Sequence, residues 1–172
     1  MKMTSRDYNL SALLTLESFN GDWNKYIESV YATFVNDFVN SKPLFRGTRL
    51  RLKSHPFVDG KEYTFYHFTH KGDIENERTP DLRRCERIHW AKPTIEKCDK
   101  WKIKIWPQKR HGKDRLCIWL ELENEPDYIV ILDMRRDYIL PWTAFVLEYG
   151  HEKRKKQKEY EAYLKTRTAQ SS

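Results

Sequence analysis

The clearest periodic pattern in the chain lies between residues 22 and 40. Apolar side chains recur there every three or four residues, which is the spacing of one face of an α-helix. They are Trp23, Ile27, Val30, Tyr31, Phe34 and Phe38. Asp22 follows Gly21 and is placed to cap the first turn. The pattern predicts an amphipathic N-terminal helix whose apolar face belongs to the core.

The second half of the chain follows the period of a sheet. Four strand-like runs occur, at residues 101–106, 115–122, 128–134 and 138–148. The segments between them are short enough for antiparallel hairpins. Pro141 within the last run suits a β-bulge or an edge strand, because proline cannot donate to a strand ladder.

Two further segments also read as strands. Leu50 and Leu52 alternate with basic residues, which predicts a short edge strand with a basic outer face. Residues 62–70 are dense in aromatic and β-branched side chains, which favour strands. On such a strand His67 and Thr69 share one face, so Thr69 could orient His67.

A charged helix with a thin apolar stripe is predicted at residues 151–167. The predicted fold class is therefore α+β: an N-terminal helix, a mostly antiparallel sheet of about five strands in a meander, and a basic C-terminal helix. A length of 172 residues favours one domain over residues 1–172, with a core at about 19–150.

The composition excludes two classes of protein. Aromatic residues make up 14% of the chain, which a disordered chain lacks. The longest uncharged, mainly apolar stretch, residues 138–147, is well short of the roughly 18 residues needed to cross a bilayer. Residues 1–9 have no apolar segment typical of a secretory signal. We therefore expect a cytoplasmic protein with no membrane partner.

Three cysteines, Cys85, Cys98 and Cys117, form no CxxC pair, and their odd number leaves one unpaired in any disulfide scheme. Buried thiols in a reducing compartment are favoured over a metal site. No nucleotide-binding or metalloprotease signature occurs, and the acidic residues do not form a magnesium nuclease pattern. We expect neither a metal nor a cofactor.

The excess positive charge is concentrated in the middle of the chain. Residues 83–115 hold 12 basic and 4 acidic residues, for a net charge of +8, whereas residues 116–150 have a net charge of −5. Cations interleaved with flat rings suit a nucleic acid, because phosphates attract the cations and bases stack on the rings. The candidate binding residues are Arg83, Trp90, Lys92, Lys102, Lys104, Trp106, Lys109 and Arg110. The alternative is that the cations form a solvated face and the tryptophans belong to the core.

His67 is the candidate acid/base group, since a modest shift lets a histidine exchange a proton at neutral pH. In metal-free RNA cleavage, cations stabilise the charge that develops on the phosphate. Arg84 and Arg87 present planar guanidinium groups suited to phosphate oxygens, and Arg83 and Arg87 would share a helix face. The alternatives are a hydrogen-bonded structural histidine and arginines paired with Glu86 or Glu96.

The stretch YHFTHKGDIENERTPDLRRCERIHW, followed by RLCIWLE, YIVIL and LPWTAF, resembles the phage-associated nucleases of the barnase/EndoU/colicin/RelE-like superfamily. The similarity runs from about residue 19 to 164. The resemblance implies a metal-independent ribonuclease site with His67 as the acid/base residue, Arg84 and Arg87 as a phosphate clamp, and Thr143 as a polar group of the last strand. It also implies RNA as a partner, a toxin or phage-associated role and, in some cases, a cognate inhibitor protein.

Two other functions stay open. The YHFTH fragment also resembles the His-x-Thr strand of NAD-dependent ADP-ribosyltransferases, for which Glu148 is the one well-placed catalytic glutamate. The third possibility is a non-catalytic nucleic-acid-binding module that uses the same Trp and Lys residues.

Overall fold

The computed structural model describes residues 2–171, so Met1 and Ser172 of the predicted domain lie outside the described residues. The fold is α+β, as predicted. Its helices are α1 (Trp23–Phe34), α2 (Tyr63–Thr69), α3 (Leu82–Glu86), α4 (Ala91–Trp101) and α5 (Gly150–Ser171). Its strands are β1 (Leu44–Phe45), β2 (Thr48–Arg49), β3 (His70–Lys71), β4 (Thr79–Pro80), β5 (Lys104–Arg110), β6 (Lys113–Leu120), β7 (Asp127–Met134) and β8 (Ile139–Leu147). None of the helices within residues 2–171 combines the length and the apolar character that a membrane crossing requires.

The N-terminal helix is confirmed. The Asp22 side chain caps α1 by accepting a hydrogen bond from the Lys25 amide. The helix buries Tyr26, Val30 and Phe34, and it continues as a π-helical segment, Val35–Asn40. The apolar stripe found in the sequence thus lies against the core.

Strands β5 to β8 form one antiparallel sheet in sequence order, which confirms the meander for these four strands. The register shifts between Ile131 and Leu132, because Ile131 pairs with Thr143 whereas Leu132 pairs with Pro141. Trp142 is the extra residue, so Pro141 lies at a β-bulge on an edge strand. The bulge changes the direction of the Trp142 side chain relative to the ladder.

The sheet separates two apolar clusters. One face packs against α1, α2 and α4 and carries the larger cluster, which includes Ile118, Val130 and Ala144. The opposite face, called here the outer face, carries a smaller cluster built from Trp106, Cys117, Trp119, Ile129, Ile131 and Leu147. Tyr160 and Tyr163 of α5 cover part of it. Helix α5 therefore shields one region of the outer face.

The predicted strand at residues 62–70 is wrong. Residues Tyr63–Thr69 form helix α2, and every one of its seven side chains is buried. A segment apolar on all sides carries no amphipathic period, so its aromatic and β-branched composition indicated a strand, and burial from every direction overrode that propensity. His67 and Thr69 consequently do not share a strand face, and the Thr69 hydroxyl contacts His70 instead.

The predicted fifth strand is therefore missing from the main sheet. The chain around Leu50 contributes only an isolated bridge to Ile139, while β1 pairs with β2 and β3 with β4 in two-residue ladders. Strands this short are marginal alone and depend on the surrounding packing.

The C-terminal helix is confirmed; it begins at Gly150 and ends at Ser171, four residues beyond the predicted 151–167. Lys156 on this helix is buried, which its place in a lysine run did not indicate. The three cysteines are buried free thiols, as predicted.

We expect Phe68→Ala to lower the free energy of unfolding by about 3–5 kcal/mol, the usual cost of truncating a buried phenylalanine. Phe68 is 1% exposed, and its ring packs against Phe34 and Phe38. Urea denaturation measures the change. Phe57→Ala is the matched control, because Phe57 is 52% exposed and should cost little. Equal losses from both variants would contradict the packing of α2 as a core helix.

Candidate active site

Helix α2 and strand β8 meet at a buried polar junction. The Thr143 hydroxyl donates a hydrogen bond of 2.9 Å to the backbone carbonyl of His67. Arg84 donates from Nη1 to the same carbonyl at 3.1 Å and to Thr143 Oγ1 at 3.0 Å. A third bond from Nη1, 2.8 Å long, reaches the carbonyl of His70. The structure brings His67, Arg84 and Thr143 together, but through the His67 main chain rather than its imidazole.

Burial determines what Arg84 contacts. Burial lowers the pKa of its guanidinium, an effect that Asp81, 3.4 Å from Nε, opposes. All three hydrogen bonds from Nη1 go to acceptors of the protein itself. In this arrangement Arg84 fastens α2 to β8, and the phosphate-clamp role that the sequence suggested is not one that Nη1 is free to perform.

Arg87 does not join the junction. Helix α3 ends before Arg87, so the predicted i, i+4 pair with Arg83 on one helical face does not form. The Arg87 side chain is 6% exposed; its Nη1 donates to the Arg83 carbonyl and lies 3.4 Å from Glu86. Its guanidinium carbon lies 5.3 Å from the centre of the Trp90 ring. These contacts match the structural ion pair considered as the alternative.

The His67 imidazole lies in a second cluster, with Glu75 and Arg78. Nε2 is 2.7 Å from Glu75 Oε1, and Nδ1 is 3.1 Å from Nη1 of Arg78. Arg78 Nη1 also lies 3.4 Å from Nε2, but a carboxylate only accepts and an arginine only donates, so the two shorter contacts place the proton of the neutral ring on Nε2, towards Glu75. Burial, reinforced by Arg78, lowers the pKa of His67 to about 4. The ring is therefore neutral at neutral pH.

Glu75 is the accessible member of this cluster. Its side chain is 47% exposed, whereas that of His67 is 5% exposed. The Tyr63 hydroxyl donates to the same carboxylate oxygen. Partial burial raises the pKa of Glu75, but the hydrogen bonds from Tyr63 and His67 outweigh it, and the pKa lies below its ordinary value. We call His67, Glu75, Arg78 and Tyr63 the Glu75 cluster.

Sequence reasoning gave no role to Glu75 or Arg78, because residues 71–80 read as a polar loop. Glu75 and Glu77 are both glutamates, and they follow His67 at similar distances along the chain. A single 3₁₀ turn, Glu75–Glu77, decides which carboxylate turns inward. The available signal was only the presence of acidic and basic residues shortly after a histidine.

Trp142 connects the Glu75 cluster to the uncovered part of the outer face. Its ring centre lies 4.8 Å from that of His67 and 4.1 Å from the guanidinium carbon of Arg115. This arrangement follows from the bulge in β8, because an extra residue re-aims its side chain. A small pocket of about 170 Å³ opens beside Trp142 and Thr143, next to the basic residues Arg110, Arg115 and Lys156.

The predicted base-stacking role of two tryptophans is wrong, because both side chains are buried. Trp90 is 2% exposed and Trp106 is 1% exposed. Trp90 packs against Tyr128 in the large cluster, and Trp106 packs against Trp119 and Tyr160 under α5. A base can stack only on an accessible ring face, so these side chains belong to the core.

The predicted cations do not form one patch with them. Lys104 is bound to Glu121 at 2.8 Å and to Gln157 at 2.7 Å, so it holds α5 on the sheet. Arg83 pairs with Glu148 at 2.7 Å, and Lys92 lies 3.9 Å from Glu96 on α4. Three members are exposed at chain turns or strand ends: Lys102, Lys109 and Arg110. Arg110 alone of the predicted cations borders the pocket at Trp142.

Glu148 is remote from the His67 ring along the sheet. It pairs with Arg83 and follows Thr143 by five residues, which is about 17 Å along an extended strand. It lines a different surface cleft, together with Tyr149 and Lys153. The geometry gives no support to a joint role of Glu148 and His67 in ADP-ribosyl transfer. Within residues 2–171, no group of three or more His, Cys, Asp or Glu side chains is arranged to hold a metal ion.

No family model matches the chain, and no curated protein or solved structure is significantly similar to it. The resemblance to the phage-associated nucleases therefore stays a prediction.

We expect the buried neutral His67 to make folding stability depend on pH. Its pKa is lowered in the folded protein, so the unfolded chain binds the proton more tightly. The stabilisation is complete above the ordinary pKa of 6.5 and is lost as the pH falls towards about 4. Between neutral pH and about pH 5 the loss is on the order of 2 kcal/mol.

Urea denaturation of the wild type and of His67→Gln at the two pH values measures this loss. The variant should show a smaller decrease, since it lacks the titrating ring. His151→Gln, which changes an exposed histidine, should behave as the wild type does. An identical pH dependence in His67→Gln and the wild type would contradict the lowered pKa.

Proposed function

We propose that the chain is a metal-independent ribonuclease that cleaves RNA through attack of a 2′-hydroxyl on the adjacent phosphate. The observation that supports this best is the Glu75 cluster: an exposed carboxylate, held by a buried neutral histidine, next to a guanidinium. Metal-free phosphodiester cleavage requires a group that takes a proton and a cation that stabilises the developing charge. Both lie here within one cluster.

Glu75 is the proton acceptor in this proposal. The carboxylate takes the proton of the 2′-hydroxyl, and the 2′-oxygen forms a bond to phosphorus while the bond from phosphorus to the 5′-oxygen breaks. The 5′-oxygen leaves as a hydroxyl with a proton from solvent water, and Glu75 returns its own proton to solvent. The products are a 2′,3′-cyclic phosphate and a 5′-hydroxyl end. Arg78, 3.8 Å from Glu75 Oε2, supplies positive charge beside the reacting phosphate through its electric field, because its Nη groups are bonded to His67 and to the His70 carbonyl.

His67 acts through Glu75 and is a positioning residue. Its Nε2–H fixes the carboxylate, and Arg78 fixes the tautomer of the ring. The proposal thereby moves the proton transfer from His67 alone, as the sequence suggested, to the pair that it forms with Glu75. Arg84 and Thr143 support the pair by holding the His67 backbone against β8.

Glu75→Gln should reduce RNA cleavage by at least about a hundredfold, because an amide cannot accept the proton. The assay incubates the purified chain with end-labelled RNA in EDTA and identifies the cyclic phosphate product. Glu77→Gln is the matched control, since this exposed carboxylate belongs to the same turn. RNA substituted with 2′-deoxyribose at the cleaved position should resist.

A folded wild-type protein that binds RNA without cleaving it would refute the proposal and would favour the non-catalytic nucleic-acid-binding module. Circular dichroism and the urea midpoint establish that each variant is folded. Cleavage that requires added Mg²⁺ would also refute it.

Tyr63→Phe should shift the acidic limb of the pH–rate profile to higher pH. Burial raises the pKa of Glu75 and the Tyr63 hydroxyl lowers it, so removing that hydroxyl lets the pKa rise. Since the base must be ionised, activity then fails at a higher pH as the solution is acidified. The rate on the alkaline plateau should change much less.

Tyr66→Phe is the control for this profile. The Tyr66 hydroxyl donates to the backbone carbonyl of Glu75, 3.0 Å away, and not to the carboxylate. An equal shift in both variants, or none in Tyr63→Phe, would contradict the role of Glu75 as the base.

A further inference from the structure

A pocket on the outer face of the sheet combines three cations with little competing negative charge in its walls. It has a volume of about 170 Å³ and lies between β5, β6, β8 and the inner side of α5. Its polar walls are Gln108, Arg110, Arg115, Trp142, Thr143 and Lys156. Pockets for whole drug-sized ligands measure roughly 300–1,000 Å³, so this one fits a single group rather than a whole nucleotide.

Arg115 is held in place by an ion pair and by a contact with an aromatic ring. Its side chain is 10% exposed, and Nε lies 3.1 Å from a carboxylate oxygen of Asp133. The guanidinium stacks on Trp142, 4.1 Å from the ring centre. The contact with Asp133 is an ion pair and not a hydrogen bond, because within residues 2–171 Nε and Asp133 Oδ1 are both buried without a hydrogen-bond partner. A planar fork fixed in this way suits two oxygens of one phosphate.

Lys156 adds a buried ammonium group. Its side chain is 9% exposed, and the acidic group facing it is Glu159, 3.6 Å from Nζ. Glu159 is shared, because it also accepts a hydrogen bond from Gln108. A buried charge is costly unless it is compensated, and one shared, partly exposed carboxylate compensates it poorly. An anion in the pocket would complete the compensation.

We infer that this pocket binds one phosphate group of an RNA strand, as a subsite next to the cleaved bond. The inference rests on the proposed function, because Trp142 separates the pocket from the Glu75 cluster. The His67 ring, Trp142 and the Arg115 guanidinium follow one another at 4.8 and 4.1 Å. Together these two separations span at most about 9 Å, so the bound phosphate belongs to a nucleotide one or two steps from the cleaved bond.

The experiment measures binding of a short 2′-O-methyl RNA, which has no free 2′-hydroxyl and cannot be cleaved by this route. Fluorescence anisotropy gives the dissociation constant at several salt concentrations. Lys156→Met and Arg110→Gln should each weaken binding about tenfold and reduce the salt slope by about one, since each removes a phosphate contact. Lys155→Met is the matched control on the exposed side of α5 and should leave the slope unchanged.

The NMR signal of the Trp142 indole N–H group, which is assigned by its loss in Trp142→Phe, reports where the phosphate lies. The inference requires that the 2′-O-methyl RNA shifts this signal in the wild type and not in Lys156→Met. If inorganic phosphate shifts this signal and the 2′-O-methyl RNA does not, the assignment to an RNA strand is overturned. If neither ligand shifts the signal, the site itself is overturned. Cleavage is assayed separately on ordinary RNA, so an inactive protein that still binds here refutes the proposed function and leaves the pocket as a phosphate site.

Discussion

The hydrogen bonds of one largely buried guanidinium organise the junction of α2, β3 and β8. Arg84 joins the carboxyl end of α2, the start of β3 and the edge strand β8 through a single nitrogen. Each of those acceptors is a polar group that would be costly to bury alone, and so is the arginine itself. The position of the His67 ring, and hence of Glu75, depends on this junction together with the packing of Phe65 and Phe68 of α2 in the core.

The net charge of the chain is informative only once each charged side chain is assigned to its place in the structure: buried, paired or beside a pocket. The +8 block at residues 83–115 does not form one surface, because Arg87 is buried, Arg84 is bonded between α2 and β8, and Lys104 is paired with Glu121. The neighbouring −5 segment supplies several of the partners, among them Asp133 beneath Arg115. What remains near the Glu75 cluster is a small group of cations beside Trp142, and Lys156 of the distant C-terminal helix belongs to it.

The tryptophan side chains also lie in different environments. Trp90, Trp106 and Trp119 are almost wholly buried. Trp90 belongs to the larger apolar cluster, and Trp106 and Trp119 belong to the cluster on the outer face. Trp142 differs because the bulge gives it no partner in the ladder, and it lies between a histidine and an arginine instead. A single irregularity in strand pairing therefore links the two sites proposed above.

The sequence by itself determined the elements with a clear period: α1 with its Asp22 cap, the four-strand meander with its bulge at Pro141, the C-terminal helix, and the buried thiols. It also marked His67, Arg84 and Thr143, which meet at the His67 main-chain carbonyl and not at its imidazole. Tertiary structure alone decided that residues 63–69 are a helix, since a segment buried on all sides has no polar face to reveal its period. Tertiary structure also decided that Glu75 turns inward while Glu77 does not, and that Lys156 faces a pocket. Such choices depend on contacts between residues far apart in the chain, which local spacing does not encode.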